Sequence, residues 1–498
     1  MKTLDQHLRE QPLVMLRAIA RNQGLIIAAT GRSVFRQTLV REMLETQHVV
    51  DMWQDLAPSA HEAVQTLFSE DNRIAVTSFQ RRFGTIRRFG PGHLQKEKPW
   101  KLPANVAERL WYLGLITRGF DETPDGLSEF FSIPSDLFQL LPLSLSIGER
   151  FAFPPATDAS PLRTERDGEE RFLDDLATIL IYLQNNRVWV NSRGEWREND
   201  LQQLIPRLQT QPLNLDRPLT PGSRLSLLFH CTEALDLVTA TKGRLRLQAE
   251  AILSWLELDR LQQQSALFEA WRNSSDWNDL CLTPGLHCES GNWRNDPKAT
   301  RGALLDILTR VQPGQWRNLD ALIAAIRTQH PDFQRPDGNY DTWYIRDDTG
   351  SYLSGFDHWE DVEGRLIRHI WSGPLSWFGL IAWDEESQSW SLTSHGLTLL
   401  DPGASPPPTS SVPPDLLVTG DFRVMLPIGH RIYDRFRVAR FCAWEASTPA
   451  YRYRITQRGL RRAAAAGINS EQILEFLTAA SDGQVPAKVS GALVQFTP

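Results

Sequence analysis

A chain of 498 residues with 41% hydrophobic and 23% charged residues has room for several ordinary domains, each with its own core. Its net charge of -7 excludes a protein that coats nucleic acid over its whole surface, so any binding to a polyanion has to be local. Charges at Lys2, Asp5, Arg9 and Glu10 break the first apolar stretch, and no apolar run approaches the roughly 18 residues of a membrane span, so neither a signal peptide nor a membrane anchor is expected. Four cysteines are too few for a disulfide framework and point to a cytoplasmic, reducing setting; the seventeen tryptophans read as core residues.

Residues 1–55 read as a helical module. Leu8, Leu13, Leu16 and Ile19 share one helical face, Gly24 and Gly31 interrupt it, and Val34, Leu39, Val40 and Met43 form a second. This pair resembles a SAP-like DNA-binding module; the alternative is an ordinary helical hairpin.

Residues 56–150 carry Val64, Leu67 and Phe68 on one helix and Ile74-Ala75-Val76 with Thr77 as an expected cap. Phe79 and Phe83 lie on a second helix, Val106 to Tyr112 form a third, and a hairpin follows. Three short helices and a hairpin make a winged helix. The loop between the second and third helices holds Arg81, Arg82, Arg87, Arg88, Lys96, Lys98 and Lys101 against Glu97 alone, which predicts a local positive field suited to a phosphate backbone. A solvated loop, or one paired with acids from elsewhere, is the competing reading.

A linker is expected at 152–161, Ala-Phe-Pro-Pro-Ala-Thr-Asp-Ala-Ser-Pro. A second winged-helix-like domain spans 165–260. It has a helix from Phe172 to Leu183, a short hairpin from Val188 to Trp196 through Ser192-Arg193-Gly194, and Asp200 as a helix cap. The turn Thr241-Lys242-Gly243 and the strand Arg244–Leu247 then precede a helix ending near Trp255. A third winged helix spans 300–400, with a helix from about Asp357 to Trp371 and a hairpin whose tip, Asp384-Glu385-Glu386-Ser387, is acidic and so unsuited to a DNA groove. Thr123, Thr393 and Thr456 each precede Gly-Leu by three residues, which predicts one recurring junction of strand and capped helix. The Pro-rich stretch 401–414 predicts an extended linker that holds the last domain apart or lets it dock by a separate interface.

Residues 415–498 begin with Leu416 to Thr419 and Phe422 to Leu426, a strand pair or one broken strand. A helix is expected from His430 to Trp444, then the strand Tyr451–Ile455. Thr456 is placed to cap a helix that Gly467 ends in a left-handed turn, and Asn469 with Gln472 opens another. Those residues, with Leu460, Glu471-Gln472-Ile473-Leu474 and Val485-Pro486, resemble the helicase-associated domain of bacterial XPB-type helicases and of stand-alone proteins that accompany them. The chain departs from that family's pattern at Thr419-Gly420 and Pro486-Ala487. The resemblance implies a helicase or other ATPase subunit as partner. Arg452, Arg454, Arg458, Arg461 and Arg462, near Tyr451 and Tyr453, are the candidate contacts to nucleic acid or to partner carboxylates.

No stretch supplies the phosphate-cradling Gly-x4-Gly-Lys-Ser/Thr of a helicase motor; Thr241-Lys242-Gly243 is the nearest approach. Cys281 and Cys288 beside His287 are weighed as metal ligands against free buried thiols. Asp337, Asp341, Asp347, Asp348, Asp357, Glu360 and Asp361 with His358 are weighed as an Mg²⁺ nuclease site against a solvated acidic surface. The expected fold is mainly α with small β wings, tandem winged helices followed by a mixed α/β domain. The expected function is non-catalytic binding to duplex or forked DNA with no cofactor. The competing function is an interaction scaffold in a larger assembly such as a phage-defence complex, without DNA contact.

Overall fold

The computed structural model describes the chain except residues 1, 71, 124–125, 142–150, 157–166, 192–194, 211–218, 292, 336, 402, 404–415 and 497–498. Helices dominate, with small antiparallel sheets between them, and the chain separates into two compact units. Half of the 152–161 linker, the 192–194 turn and nearly all of the Pro-rich stretch lie outside the described residues.

The first unit comprises Met1–Phe153, Cys288–Asn295 and Ile326–Trp359. Its first 54 residues form four helices rather than two: Leu4–Glu10, Leu13–Asn22, Arg32–Met43 and Thr46–Gln54. Pro12 ends one and starts the next, because a proline fixes the φ of a cap and has no N–H to leave unmet. Thr3 and Gln6 close a reciprocal capping box at the first N-terminus. Leu8, Leu16, Ile19, Phe35 and Leu39 pack with Leu94, Trp100 and Tyr112 into one core.

A second core joins Val64 and Leu67 of the helix Pro58–Ser69, Phe79 of the helix Val76–Phe83, Leu110 of the helix Val106–Leu113, and Phe131. Here Ile74–Ala75 pairs with the strand Gly126–Ser132, which in turn pairs with Thr117–Thr123. Thr77 is not the expected cap. Its helix begins one residue earlier, and its hydroxyl donates to the Asp337 carbonyl. Thr123 and Gly126 face each other across the tip of this hairpin, so this copy of the Thr-to-Gly-Leu motif is a strand turn and not a helix cap.

The second unit comprises Pro154–His287, Asp296–Ala325 and Glu360–Pro498. The long helix Asp167–Asn185 buries Phe172, Leu173, Leu176, Ala177 and Leu180. The hairpin Val238–Thr241 with Arg244–Leu247 follows a helix at Arg224–Ala234 and leads into another at Ala249–Glu257. A second hairpin, Ile381–Asp384 with Ser389–Leu392, adds Arg317–Asn318 as a third strand. The helix expected from 357 to 371 runs instead from Glu360 to Leu375 in consecutive turns interrupted at Gly373-Pro374. Asp200 does not cap its helix; it accepts the Tyr182 hydroxyl at 3.1 Å.

The last sheet has four antiparallel strands in the spatial order Leu417–Val418, Arg423–Leu426, Tyr451–Ile455, Cys442–Ala446. The opening stretch is therefore a strand pair, turned through Phe422 at a φ of 66°. The helix expected from His430 to Trp444 stops at Phe441, and Cys442–Ala446 continues as an edge strand. A further helix, Ala487–Val494, closes the domain by burying Val489 and Leu493. The domain does not stand apart, because Ile181 of the long helix belongs to its core. Beside Ile181, the fully buried Arg435 donates to the Asp174 carbonyl at 3.0 Å and to Thr178, and lies 3.5 Å from the Tyr451 ring centre.

Candidate nucleic-acid interface

Alternation along the last sheet separates a core face from a charged face. Val424, Leu426, Tyr451, Tyr453 and Ile455 point inward, and Arg423, Arg452 and Arg454 point outward. Register places Arg423 opposite Arg454 and Met425 opposite Arg452. All three guanidiniums converge on one carboxylate: Glu445 takes Arg423 Nε at 2.8 Å, Arg452 Nε at 3.7 Å, and Arg454 Nε. Burial alone would raise the Glu445 carboxyl, but the bonds from Arg423 and Arg454 hold it below the ordinary carboxylate range. Asp421 adds a second acceptor for Arg423, so among the described residues three cations face two anions and the face keeps a positive surplus.

The helices beside the sheet divide their arginines into structural and exposed. Thr456 caps the helix Gln457–Ala465 by accepting from Gly459 N–H at 3.1 Å, as expected. Arg462 on that helix donates to the carbonyls of Ala439, Arg440 and Cys442, closing the C-terminal end of the helix Ile432–Phe441. Burial lowers the Arg462 guanidinium, as befits a group turned onto protein carbonyls. Arg458 and Arg461 are exposed and make no ion pair among the described residues. Arg440 is likewise exposed, and with Arg437 it edges a groove of about 540 Å³ that runs past Gly467, Gln472 and Phe476.

The basic loop of the first unit is less free than its sequence suggests. Arg81 pairs with Asp332 at 2.8 Å, donates to the Gly338 carbonyl at 2.6 Å and packs over Tyr340 and Phe356. Arg82 pairs with Glu62 at 2.9 Å. Arg87 binds the buried Glu108 through its guanidinium and its backbone N–H, and Ala104 N–H adds another bond to the same carboxylate. Burial pushes Glu108 up, and these bonds outweigh it and leave the carboxyl below its ordinary value. Arg88, with an 80% exposed side chain, reaches Glu129 only at 3.9 Å. Lys96, Lys98 and Lys101 are exposed without ion pairs among the described residues, on and after the short helix Pro91–Glu97. Three of the seven predicted cations are thus anchored to carboxylates at 2.9 Å or less, and four remain open or nearly so.

Residues 416–497 match the family described as the helicase conserved C-terminal domain. The chain therefore carries a helicase-associated C-terminal domain. No curated protein matches the chain. The matched stretch holds Arg452, Arg454, Arg458, Arg461 and Arg462 together with the groove beside Arg440.

The other candidate chemistries disperse in the fold. Cys281 and Cys288 are disulfide-bonded, which corrects both the free-thiol and the thiolate-ligand readings. Among the described residues, no group of three or more His, Cys, Asp or Glu side chains comes together as a metal site. Asp347 instead caps its own turn by accepting from Thr349 and Ser351, Asp341 accepts from Ser354, and Glu360 pairs with Arg368. Sequence reasoning missed Arg118 and Phe120, which stand two apart on the strand Thr117–Thr123 and so share one face. That spacing was visible in the sequence, but their proximity to Arg88 was not.

Proposed function

We propose that this chain is a non-catalytic, helicase-associated protein that binds duplex or forked DNA and acts beside a separate motor ATPase, such as an XPB-type helicase. The observation that carries the reading is the exposed pair Arg458 and Arg461, with the cation surplus of the neighbouring sheet, inside the domain that matches the helicase family. Arginines that have no carboxylate partner among the described residues, on the exposed side of a helix, suit capture of phosphates. No Gly-x4-Gly-Lys-Ser/Thr stretch occurs in these 498 residues, which fits a motor that lies outside them.

The remaining modules fit the same role. The strands Ile74–Ala75, Thr117–Thr123 and Gly126–Ser132, with the three helices around them, have the make-up of a winged helix, and the hairpins at 238–247 and 381–392 repeat the helix-then-hairpin order. Lys96, Lys98 and Lys101 give the first of these an open cationic edge.

The test is fluorescence anisotropy of the full chain with labelled blunt and forked duplexes over a salt series. Binding that weakens as salt rises is expected, with about ten-fold lower affinity after Arg458→Glu with Arg461→Glu. Failure to bind either duplex at low salt, or DNA-stimulated ATP hydrolysis by the chain alone, overturns the reading.

A further inference from the structure

A cleft of about 440 Å³ opens in the first unit between the start of the chain, the segment around Arg88 and Phe89, the helix Val106–Leu113 and the strand Thr117–Thr123. That is within the range that holds a small organic ligand. One side is aromatic: Phe89, Trp111 and Phe120 line it, and Phe120 is 63% exposed. The other side is cationic. Arg118 and Arg88 share the carboxylate of Glu129, at 3.4 and 3.9 Å, and Arg118 Nε is buried without an acceptor among the described residues. Glu10 also lines the cleft and is taken up by Lys2 at 2.8 Å, so among the described residues two guanidiniums against the one distant carboxylate of Glu129 leave a positive charge and an unmet donor beside the exposed Phe120 ring.

Rings and guanidiniums in one concave site are complementary to a nucleotide whose base is free to stack and whose phosphate is an anion. A base inside a duplex offers no open face to a ring, so the strand concerned has to be unpaired there. We propose that this cleft takes an unpaired nucleotide of a DNA strand, its base laid on Phe120 and its phosphate held by Arg88 and Arg118. The proposal rests on the DNA-binding reading above and assigns the single-stranded arm of a fork to the first unit.

The experiment uses the full chain, a short labelled oligothymidine and a blunt duplex. Phe120 and Arg88 are exposed enough that Phe120→Ala and Arg88→Ala preserve the fold, which circular dichroism verifies. Phe120→Ala is expected to weaken oligothymidine binding at least about five-fold, Phe120→Trp to restore it, and neither to alter blunt-duplex affinity. Equal oligothymidine affinity in wild type and Phe120→Ala, with duplex binding intact, overturns the cleft while leaving the broader function standing. Displacement of oligothymidine by polyglutamate as readily as by unlabelled oligothymidine also overturns it, since the site would then recognise negative charge without a base. Loss of duplex binding in the Arg458→Glu, Arg461→Glu chain with oligothymidine binding retained supports the cleft independently, whereas binding to neither DNA removes both proposals.

Discussion

Arg87 and Arg88 are adjacent in sequence and differ in what their charge does. Arg87 saturates the buried carboxylate of Glu108, whereas Arg88 lies open beside the cleft. Arg87→Ala leaves Glu108 buried with backbone donors alone, so the melting temperature is expected to fall, while Arg88→Ala leaves it unchanged; differential scanning calorimetry separates the two. Because the folded carboxyl of Glu108 is depressed, its contribution to stability is present above its ordinary value of 4.5 and is lost as pH drops through the folded value. Glu108→Gln should therefore flatten the acid limb of the stability profile below that point. His7 works through the opposite charge. Burial holds its imidazole at about 4 against an ordinary 6.5, so the unfolded chain takes up a proton first as pH falls. Stability is expected to decline between pH 6.5 and about 4, and His7→Phe, which keeps an aromatic ring against Trp111, should reduce that slope in urea titrations at several pH values.

At the scale of elements, the junctions after Thr393 and Thr456 share one construction. Each threonine hydroxyl accepts from a glycine N–H three residues on, at 2.7 and 3.1 Å, and each glycine lies against a backbone carbonyl. A Cβ on Gly396 would come within 2.1 Å of the Leu380 oxygen, and one on Gly459 within 2.1 Å of the Phe441 oxygen. Alanine at either site should cost about 1–3 kcal/mol by overpacking, and Thr456→Ala about 1 kcal/mol through the lost cap, both read from urea midpoints. These junctions were legible because capping is local: the threonine, the glycine and the spacing all lie within four residues. The capping box of Asn469 and Gln472 and the left-handed turn at Gly467 were legible for the same reason. The strand Cys442–Ala446 was not. Its residues continue the apolar pattern of the preceding helix, and what makes them a strand is pairing with Tyr451–Ile455, a partner that no window ending at Trp444 contains. The failed third copy at Thr123 teaches the converse, since the same spacing closes a hairpin when the following residues have a strand to pair with.

Across the whole molecule, the charge that matters is the charge left after folding. A window of sequence around Arg81 to Lys101 contains one acid, yet the fold supplies Glu62, Glu108, Glu129 and Asp332 to four of its cations, the last from 251 residues away. Local charge density therefore overstated this surface and concealed which members are open. The same sorting applies to the C-terminal domain, where Arg435 and Arg462 serve internal carbonyls and Arg458 and Arg461 serve none among the described residues. This gives a quantitative expectation for DNA binding. Every phosphate that a variant no longer neutralises lowers the slope of log affinity against log salt by about 0.9. Reversing Arg458 and Arg461 together should thus reduce the slope by about two, and reversing Lys96, Lys98 and Lys101 by up to about three, with the melting temperature unchanged in both. Reversing Arg81 and Arg87 instead should depress the melting temperature, because those charges hold Asp332 and Glu108. A salt slope indifferent to the five open cations would mean that the electrostatic surface of this protein faces something other than a phosphate backbone.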